Sequence, residues 1–312
     1  MKALLFITGG MIDKTVKEVS AAASIMSDEH YLFLYSESCG DKLKVKTPLL
    51  VKKGWCAERA GNPRVIEVKN TIKAIANNMN INYFFFDDSA YSFWVAPLLA
   101  GELKAAFISD VTEIRNEKGK IVLSKPLQEE KIIGDYALLN EQLVAIIRRG
   151  FPIKNVEEAV IEPEKLSLEG TGESTIECLG SLGERISRLE DAEIVIGLGD
   201  GVAQSGAIEL GLELARLIQA EVAVTKPLVE KQVMPRERLV GLSGRRISPR
   251  VYLALGISGS MYHVSGVLSA GTIISVNKDE GALINTFSDY YYVGDLREVL
   301  PKLLEYLKSK SA

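Results

Sequence analysis

Glu193-Ile194-Val195-Ile196 is a short apolar run that leads directly into the glycine-rich segment Gly197-Leu198-Gly199-Asp200-Gly201. Such a run predicts a buried strand, and the glycines predict a tight turn at its end. A helix is expected next, because apolar residues recur at helical spacing and form a single stripe. The stripe consists of Leu210, Leu214, Leu217 and Ile218. Strand, tight turn and amphipathic helix together are the repeating unit of a parallel α/β sheet.

The same alternation extends along the chain and predicts the α/β class, with two doubly wound domains built on mostly parallel sheets. In the second half, the predicted strands are Glu221–Val224, Val251–Leu255 and Thr272–Val276. A closing helix is predicted from Leu296 to Leu307, with Asp295 as its N-cap. In the first half, the predicted strands are Ala3–Thr8, Tyr31–Tyr35, Val65–Val68, Tyr83–Phe86, Ala105–Ile108 and Ile121–Leu123. The predicted helices there lie near Lys14–Met26, Thr71–Asn78 and Ser89–Leu99.

The chain of 312 residues is long enough for two domains of ordinary size. Between Asn155 and Asp191 acidic and small residues dominate and periodicity is weak, which is typical of a linker. We therefore expect an N-terminal scaffold domain over residues 1–187, including the linker, and a C-terminal domain over residues 188–312.

Composition excludes several classes of function. A net charge of −4 argues against a nucleic-acid binder, and no apolar run is long enough to predict membrane insertion. The apolar part of the N-terminus is too short for a signal peptide, so we expect a cytoplasmic protein. The three cysteines are far apart and only two histidines accompany them, so no metal site or disulfide framework is predicted. Buried or incidental thiols are expected instead.

Two glycine turns are candidate ligand sites. The segment beginning Gly197-Leu198-Gly199 lacks the last glycine of the dinucleotide fingerprint GxGxxG, because Val202 stands at that position. A tight turn without a ligand is therefore as good an interpretation of Gly197–Gly201 as a phosphate-binding loop. In the second turn, a strand ending at Leu255 runs into Gly256-Ile257-Ser258-Gly259. Ser258 and the amides after it would face the crevice at the strand end, where ligands of open α/β sheets bind. The structural alternatives are a capped buried helix for this turn and a buried structural role for His263.

Polar groups that could serve a nucleotide follow the neighbouring strands. Basic residues cluster between Lys226 and Arg250 and could attract a pyrophosphate or an acidic partner, although a solvated loop face explains them equally well. Within this cluster, Gly241-Leu242-Ser243-Gly244 offers a flexible turn with one hydroxyl. Asn277 ends one strand and Asp295 follows the last one, where a carboxylate suits either a ribose hydroxyl or a helix cap.

The stretch from Pro227 to Asp295 resembles the C-terminal domain of electron transfer flavoprotein alpha subunits, the family that includes FixB. The matching segments occur in family order and spacing. They are Val233-Met234-Pro235, Val240-Gly241, Ser243-Gly244, Tyr252 through Gly259, His263, Ile274, Val276-Asn277-Lys278-Asp279, Asp289 and Val293-Gly294-Asp295-Leu296. The N-terminal half matches more faintly, at Ser89-Ala90 and Ile108-Ser109-Asp110-Val111.

The resemblance implies a nucleotide-hydrolase-like N-terminal domain and a Rossmann-like C-terminal domain that binds flavin adenine dinucleotide (FAD). By residue, it implies that Ser243 reaches the flavin near N5, with Gly241 and Gly244 beside it. It places Gly256, Ile257, Ser258 and Gly259 at the ring and ribityl chain, His263 at the pyrimidine end near O2, and Asn277 and Asp295 at the ADP half. No catalytic residue and no metal follow from it, because the family carries electrons and has no substrate of its own.

Four positions depart from the family pattern. Asp200 stands where an arginine is usual, and Lys226 keeps a charge but lacks the planar guanidinium that stacks on a ring. Leu242 and Tyr262 each replace a glutamine, and Tyr262 could stack on the flavin.

The resemblance also implies partners: an electron transfer flavoprotein beta subunit, dehydrogenase electron donors such as those of fatty acid beta-oxidation, and a quinone oxidoreductase acceptor. Two alternatives stay open from the sequence. One is a flavin-free paralogue that binds an adenine nucleotide or only a protein, and the other is a subunit of an electron-bifurcating complex.

Overall fold

The computed structural model describes residues 1–8, 12–48, 50–58, 64–128, 132–153, 156–168 and 189–311. The chain divides into two compact units, residues 1–182 and residues 183–312. Most of the predicted linker, the predicted boundary after residue 187 and Cys178 lie outside the described residues. Within the described ranges, no helix combines the length and apolar character that a bilayer crossing requires.

In chain order the described elements of the first unit are β1 (Lys2–Thr8), α1 (Ile12–Ser24), β2 (Glu29–Ser36), β3 (Leu43–Thr47), β4 (Val51–Glu58), α2 (Val65–Met79), β5 (Tyr83–Phe86), α3 (Ala90–Leu103), β6 (Ala106–Val111), β7 (Glu113–Glu117), β8 (Lys120–Leu127), β9 (Ile132–Ala137), β10 (Leu143–Ile147), β11 (Glu157–Ile161) and β12 (Glu164–Lys165). Seven of the strands form one sheet in the order β12–β4–β2–β1–β5–β10–β6, in which every pair is parallel.

Both faces of this sheet are covered, which explains why its central strands are apolar throughout. Leu5 on one face packs in a core cluster with Val16 of α1, whereas Phe6 on the other face packs with Ile72 of α2 and Val95 of α3. The predicted α/β class with parallel sheets is thus confirmed.

Two parts of the first unit differ from the sequence prediction. Val65–Val68 was predicted as a strand but forms the first turn of α2, because the apolar positions continue at helical spacing through Ile72 and Ile75. Ile121–Leu123 does lie in a strand, but that strand is the centre of a separate antiparallel sheet in the order β7–β8–β9.

The cysteine prediction is wrong, because Cys39 and Cys56 form a disulfide with their Cα atoms 5.8 Å apart. Cys39 follows β2 and Cys56 lies in β4, and these two strands are neighbours in the parallel sheet. Both side chains are buried. The pairing depends on strand order, which the spacing of 17 positions in the sequence does not reveal.

The elements of the second unit are β13 (Ile194–Leu198), α4 (Asp200–Ser205), α5 (Ile208–Leu217), β14 (Glu221–Val224), α6 (Lys226–Glu230), β15 (Val251–Leu255), α7 (Met261–Val264), β16 (Ile273–Asn277), β17 (Tyr290–Val293) and α8 (Leu296–Ser311). Its five strands form a parallel sheet in the order β14–β13–β15–β16–β17. Leu214 of α5 and Leu300 of α8 pack on one face, and Val264 of α7 packs on the other.

Candidate functional site

A cleft of about 410 Å³ opens at the carboxyl ends of β13 and β15 in the second unit. The chain winds outward from β13 to β14 on one side and through β15 on the other, and open α/β sheets bind ligands at such a reversal. The cleft has the size of a small-molecule site. It is lined by Asp200, Gly201, Gln204, Thr225, Lys226, Pro227, Leu239, Val240, Ser243, Gly256, Ile257, Ser258, Ser260, Tyr262, His263, Asn277, Lys278, Asp279 and Ala282.

The structure brings most of the residues predicted to bind a cofactor to this cleft, and places four of them elsewhere. Those in the lining are Lys226, Ser243, Gly256, Ile257, Ser258, Tyr262, His263 and Asn277. Gly241, Gly244 and Gly259 lie in the loops behind it, and a Cβ at any of them would overlap backbone atoms of a neighbouring segment. Asp295 lies outside the lining and caps α8, where its carboxylate accepts a hydrogen bond of 2.8 Å from the Arg297 amide.

The floor of the cleft consists of two glycine turns in direct contact. The Gly199 amide donates to the Leu255 carbonyl at 2.9 Å, and the Gly201 amide donates to the Gly256 carbonyl at 3.0 Å. Gly256 has a φ of 61°, and a Cβ there would lie 2.8 Å from the Val202 nitrogen. The amide of Gly201 is therefore used inside the protein and does not face a ligand, which favours the plain-turn interpretation of Gly197–Gly201.

Two residues of the turn after β15, Ser258 and Ser260, line the cleft. No backbone carbonyl among the described residues accepts a hydrogen bond from their amides. Asn277 supports this turn, because its side-chain amide donates to the Ile257 carbonyl at 2.8 Å. The carbonyl of the same side chain accepts from the Asp279 amide at 3.1 Å. Asn277 thus positions the donors, with both ends of its side chain already in use.

His263 is buried with both ring nitrogens hydrogen bonded. Nδ1 lies 3.0 Å from the Val240 carbonyl oxygen, and Nε2 lies 2.8 Å from the Tyr252 hydroxyl. Burial lowers the pKa of His263 to about 4, so the ring is neutral at physiological pH. Among the described contacts, the ring therefore offers no unused nitrogen to a ligand, in contrast to the contact with flavin O2 that the resemblance implies.

Two charged side chains of the lining, Asp200 and Lys226, are paired with neighbouring side chains. The Asp200 carboxylate lies 2.5 Å from Lys231 Nζ and accepts a 2.8 Å hydrogen bond from Gln204. Hydrogen bonding from Lys231 and Gln204 holds the pKa of Asp200 below its usual value. Lys226 Nζ lies 3.4 Å from a Glu230 carboxylate oxygen, and both side chains are largely exposed. The negative charge of Asp200 is thus balanced before any ligand binds.

Thr225 is a cleft residue that the sequence did not single out. Its hydroxyl oxygen is buried and has no hydrogen-bond partner within the part of the chain that the structure describes. A buried hydroxyl without a partner costs about 1–3 kcal/mol, so it marks a place where a polar ligand or water would bind. Its position in the sequence could have identified Thr225 as a site residue, because it directly follows β14 and so lies at the same sheet edge as the other candidates.

The second unit resembles a known type of domain. A family model described as the electron transfer flavoprotein FAD-binding domain matches residues 188–268. Protein FixB of Clostridium saccharobutylicum is 30% identical over 222 residues, which span 69% of this chain and 66% of the relative. Protein FixB of Escherichia coli (strain 55989 / EAEC) is 30% identical over 213 residues, 67% of this chain and 68% of the relative.

This chain belongs to the electron transfer flavoprotein alpha-subunit family. The alignments span about two thirds of each FixB relative. The residues matched by the family model include both glycine turns and all of the cleft lining up to His263. The family resemblance seen in the sequence is confirmed, and the FAD-binding type of domain coincides with the unit that carries the cleft.

Proposed function

We propose that this chain binds FAD in the cleft of its second unit and acts, with an electron transfer flavoprotein beta subunit, as a carrier of electrons. In this proposal the donors are dehydrogenases, such as those acting on acyl-CoA in fatty acid beta-oxidation, and the acceptor is a quinone oxidoreductase. The observation that carries it is the open cleft at the reversal of a sheet that matches the FAD-binding domain of the family.

The residues present fit an extended polar ligand. The Thr225 hydroxyl has no hydrogen-bond partner among the described residues, and no backbone carbonyl there accepts from the amides of Ser258 or Ser260. Lys226 and Lys278 bring two cations to the lining, beside the carboxylates of Asp200 and Asp279. Bound FAD would supply reversible electron transfer, and the protein would hold and orient it. We propose that Ser243 and Tyr262 contact the ring and that Asn277 keeps the Ile257–Ser260 turn in place.

The Asp200–Lys231 ion pair neutralises the carboxylate that would otherwise repel the diphosphate of FAD. An unpaired carboxylate near a diphosphate would repel it, most strongly where water is excluded. Because Lys231 Nζ lies 2.5 Å from Asp200, the pair as a whole carries no net charge. The departure at Asp200 is thus compatible with a bound dinucleotide.

The test is to purify the chain after co-expression with its beta partner and to record the absorbance of oxidised flavin. We expect a yellow complex. A colourless complex that takes up no FAD on reconstitution would contradict the proposal.

A Thr225→Val variant then tests the cleft itself. Losing one hydrogen bond to the ligand should weaken FAD binding about fivefold, equivalent to about 1 kcal/mol. The apoprotein should lose no stability, because the hydroxyl has no partner among the described residues. Thr286→Val is the matched control, since its hydroxyl donates to the Leu283 carbonyl at 2.8 Å and lies outside the cleft lining. Equal FAD affinity in both variants would show that the Thr225 hydroxyl does not bind the ligand.

One observation favours the second candidate, a flavin-free paralogue that binds an adenine nucleotide or only a protein. Both ring nitrogens of His263 are hydrogen bonded within the protein, so neither is free for the flavin contact that the resemblance implies. Calorimetric titration with FAD and with ADP separates the candidates. Tighter binding of FAD than of ADP supports the flavin carrier, equal affinities support the nucleotide binder, and no binding of either supports the protein scaffold.

A further inference from the structure

Helix α3 of the first unit is apolar on its exposed side as well as on its buried side. It packs against the sheet through residues such as Val95 and Leu99. The exposed positions from residue 90 to residue 101 recur at the spacing of a single helix face. They are Ala90, Phe93, Trp94, Pro97, Leu98 and Gly101, and we call them the outer face of α3. A surface helix normally carries polar residues there, whereas a helix that is apolar all round is typical of a buried position.

The outer face of α3 exposes large side chains and carries no charge. Phe93, Trp94 and Leu98 are 43%, 48% and 45% exposed, so about half of each side chain meets solvent. Glu102 is the only charged residue of α3, and two lysines of α2 form ion pairs with its carboxylate. Large apolar side chains grouped on one exposed face mark a place where another protein surface binds. The absence of charge on the face means that covering it desolvates no ion.

The outer face carries both a knob and a matching hole. Trp94 is the largest side chain on it, and Gly101 lies about two helical turns further along the same face. A Cβ at Gly101 would meet no neighbouring side chain or segment within 4 Å, so the space above its backbone is open. If two copies of α3 pack antiparallel about a two-fold axis, Trp94 of each copy lies over Gly101 of the other. The face is therefore complementary to itself.

We propose that the outer face of α3 is a contact surface between two copies of this chain, which pack their α3 helices antiparallel about a two-fold axis. A single helix pair buries less area than a permanent dimer interface, so we expect a dissociation constant on the order of 10 µM. The contact uses residues of the first unit alone. The inference is therefore independent of the proposed function and of any ligand in the second unit.

Sedimentation velocity of the full chain tests the inference, at loading concentrations from about 1 µM to about 200 µM, which span the expected constant. We expect a monomer at the low end and a dimer at the high end. Trp94→Glu should weaken the dimer about thirtyfold or more, because a central tryptophan is a typical anchor of an interface. Val160→Glu is the matched control, since Val160 is also an exposed apolar residue of the first unit but lies in β11. It should leave the dissociation constant unchanged.

A Gly101→Leu variant separates association from folding. Leucine is a better helix former than glycine, and the open space above Gly101 admits its side chain in the monomer. The monomer should therefore keep or gain thermal stability, while the dimer is weakened because the hole for Trp94 is filled. A loss of dimer in Trp94→Glu and Gly101→Leu, with folding intact in the latter, is the result that the inference requires.

The fluorescence of Trp94 gives a local readout of the same contact. Trp55 and Trp94 are the only tryptophans, so Trp55→Phe leaves Trp94 as the single reporter. Its emission should move to shorter wavelength as the concentration rises through the midpoint seen in sedimentation. A chain that stays monomeric throughout, or a dimer that both variants leave unchanged, overturns the inference. So does a shift of Trp94 emission that occurs only when a beta partner is added, because that subunit would then cover the face.

Discussion

Opening the Cys39–Cys56 disulfide is expected to destabilise the first unit and to leave the second unchanged. The two cysteines are 17 positions apart in the sequence. Closing a loop of this length lowers the entropy of the unfolded chain enough to stabilise the folded state by about 3 kcal/mol. The Cys56 carbonyl also accepts a 2.8 Å hydrogen bond from the Leu166 amide, beside the pairing of β4 with β12. The segment around β12 is thus held on the cross-linked strand.

Tryptophan fluorescence during urea unfolding measures this effect selectively. Trp55 and Trp94 are the only tryptophans, and both lie in the first unit. With a denaturant slope of about 2 kcal/mol per molar urea, a loss of 3 kcal/mol lowers the unfolding midpoint by about 1.5 M. A Cys39→Ser/Cys56→Ser variant is the control, because its midpoint should be low with or without a reducing agent.

Thiol titration of the unfolded chain gives the independent check. With three cysteines in all, the cross-linked protein should show one reactive thiol and the reduced protein three. The reasoning is refuted if protein purified without reductant shows three thiols, or if reduction of a bridged protein leaves the fluorescence midpoint unchanged.

Two other predictions concern charge. Burial raises the pKa of Glu18 from 4.5 to about 7, so the folded state binds more protons between these values and the first unit loses up to about 3 kcal/mol as pH rises through them. Glu18→Gln should therefore show a smaller drop in urea midpoint between pH 5 and pH 8 than the unmodified chain, and an equal drop would contradict the assignment. Lys231→Met leaves Asp200 without its cation and should weaken FAD binding about fivefold, equivalent to about 1 kcal/mol. Adding Asp200→Asn should restore the affinity, and no recovery would show that the pair does not act on the ligand.

Much of the second unit could be predicted because each strand is a short apolar run that ends in glycine or polar residues. Val251–Leu255 was predicted with the bounds that β15 has in the structure, and the closing helix was predicted from its first residue. Parallel strands end at one sheet edge, so the cleft residues after β15 and β16 could be expected together. Asp295 was predicted from the resemblance to contact the ADP half and from its position to suit either a ribose hydroxyl or a helix cap, and in the structure it caps α8.

The features that the sequence could not reveal depend on strand order and on partners distant in the chain. Val65–Val68 is rich in β-branched residues over a window too short to distinguish strand from helix. The disulfide follows from β2 and β4 being neighbours. The state of His263 depends on Val240 and Tyr252, which reach it from a loop and from a strand, and neither contact has a sequence signature.

The contact between the Gly199 and Gly256 turns has a consequence for how the cleft can evolve. Side chains cannot be added to either turn without forcing the two backbones apart, so the floor admits little variation. The side chains around the opening are different: those of Lys226 and Tyr262 line the cleft and have substantial exposure to solvent. Changes in ligand preference among relatives should therefore accumulate around the opening while the glycines of the base stay constant.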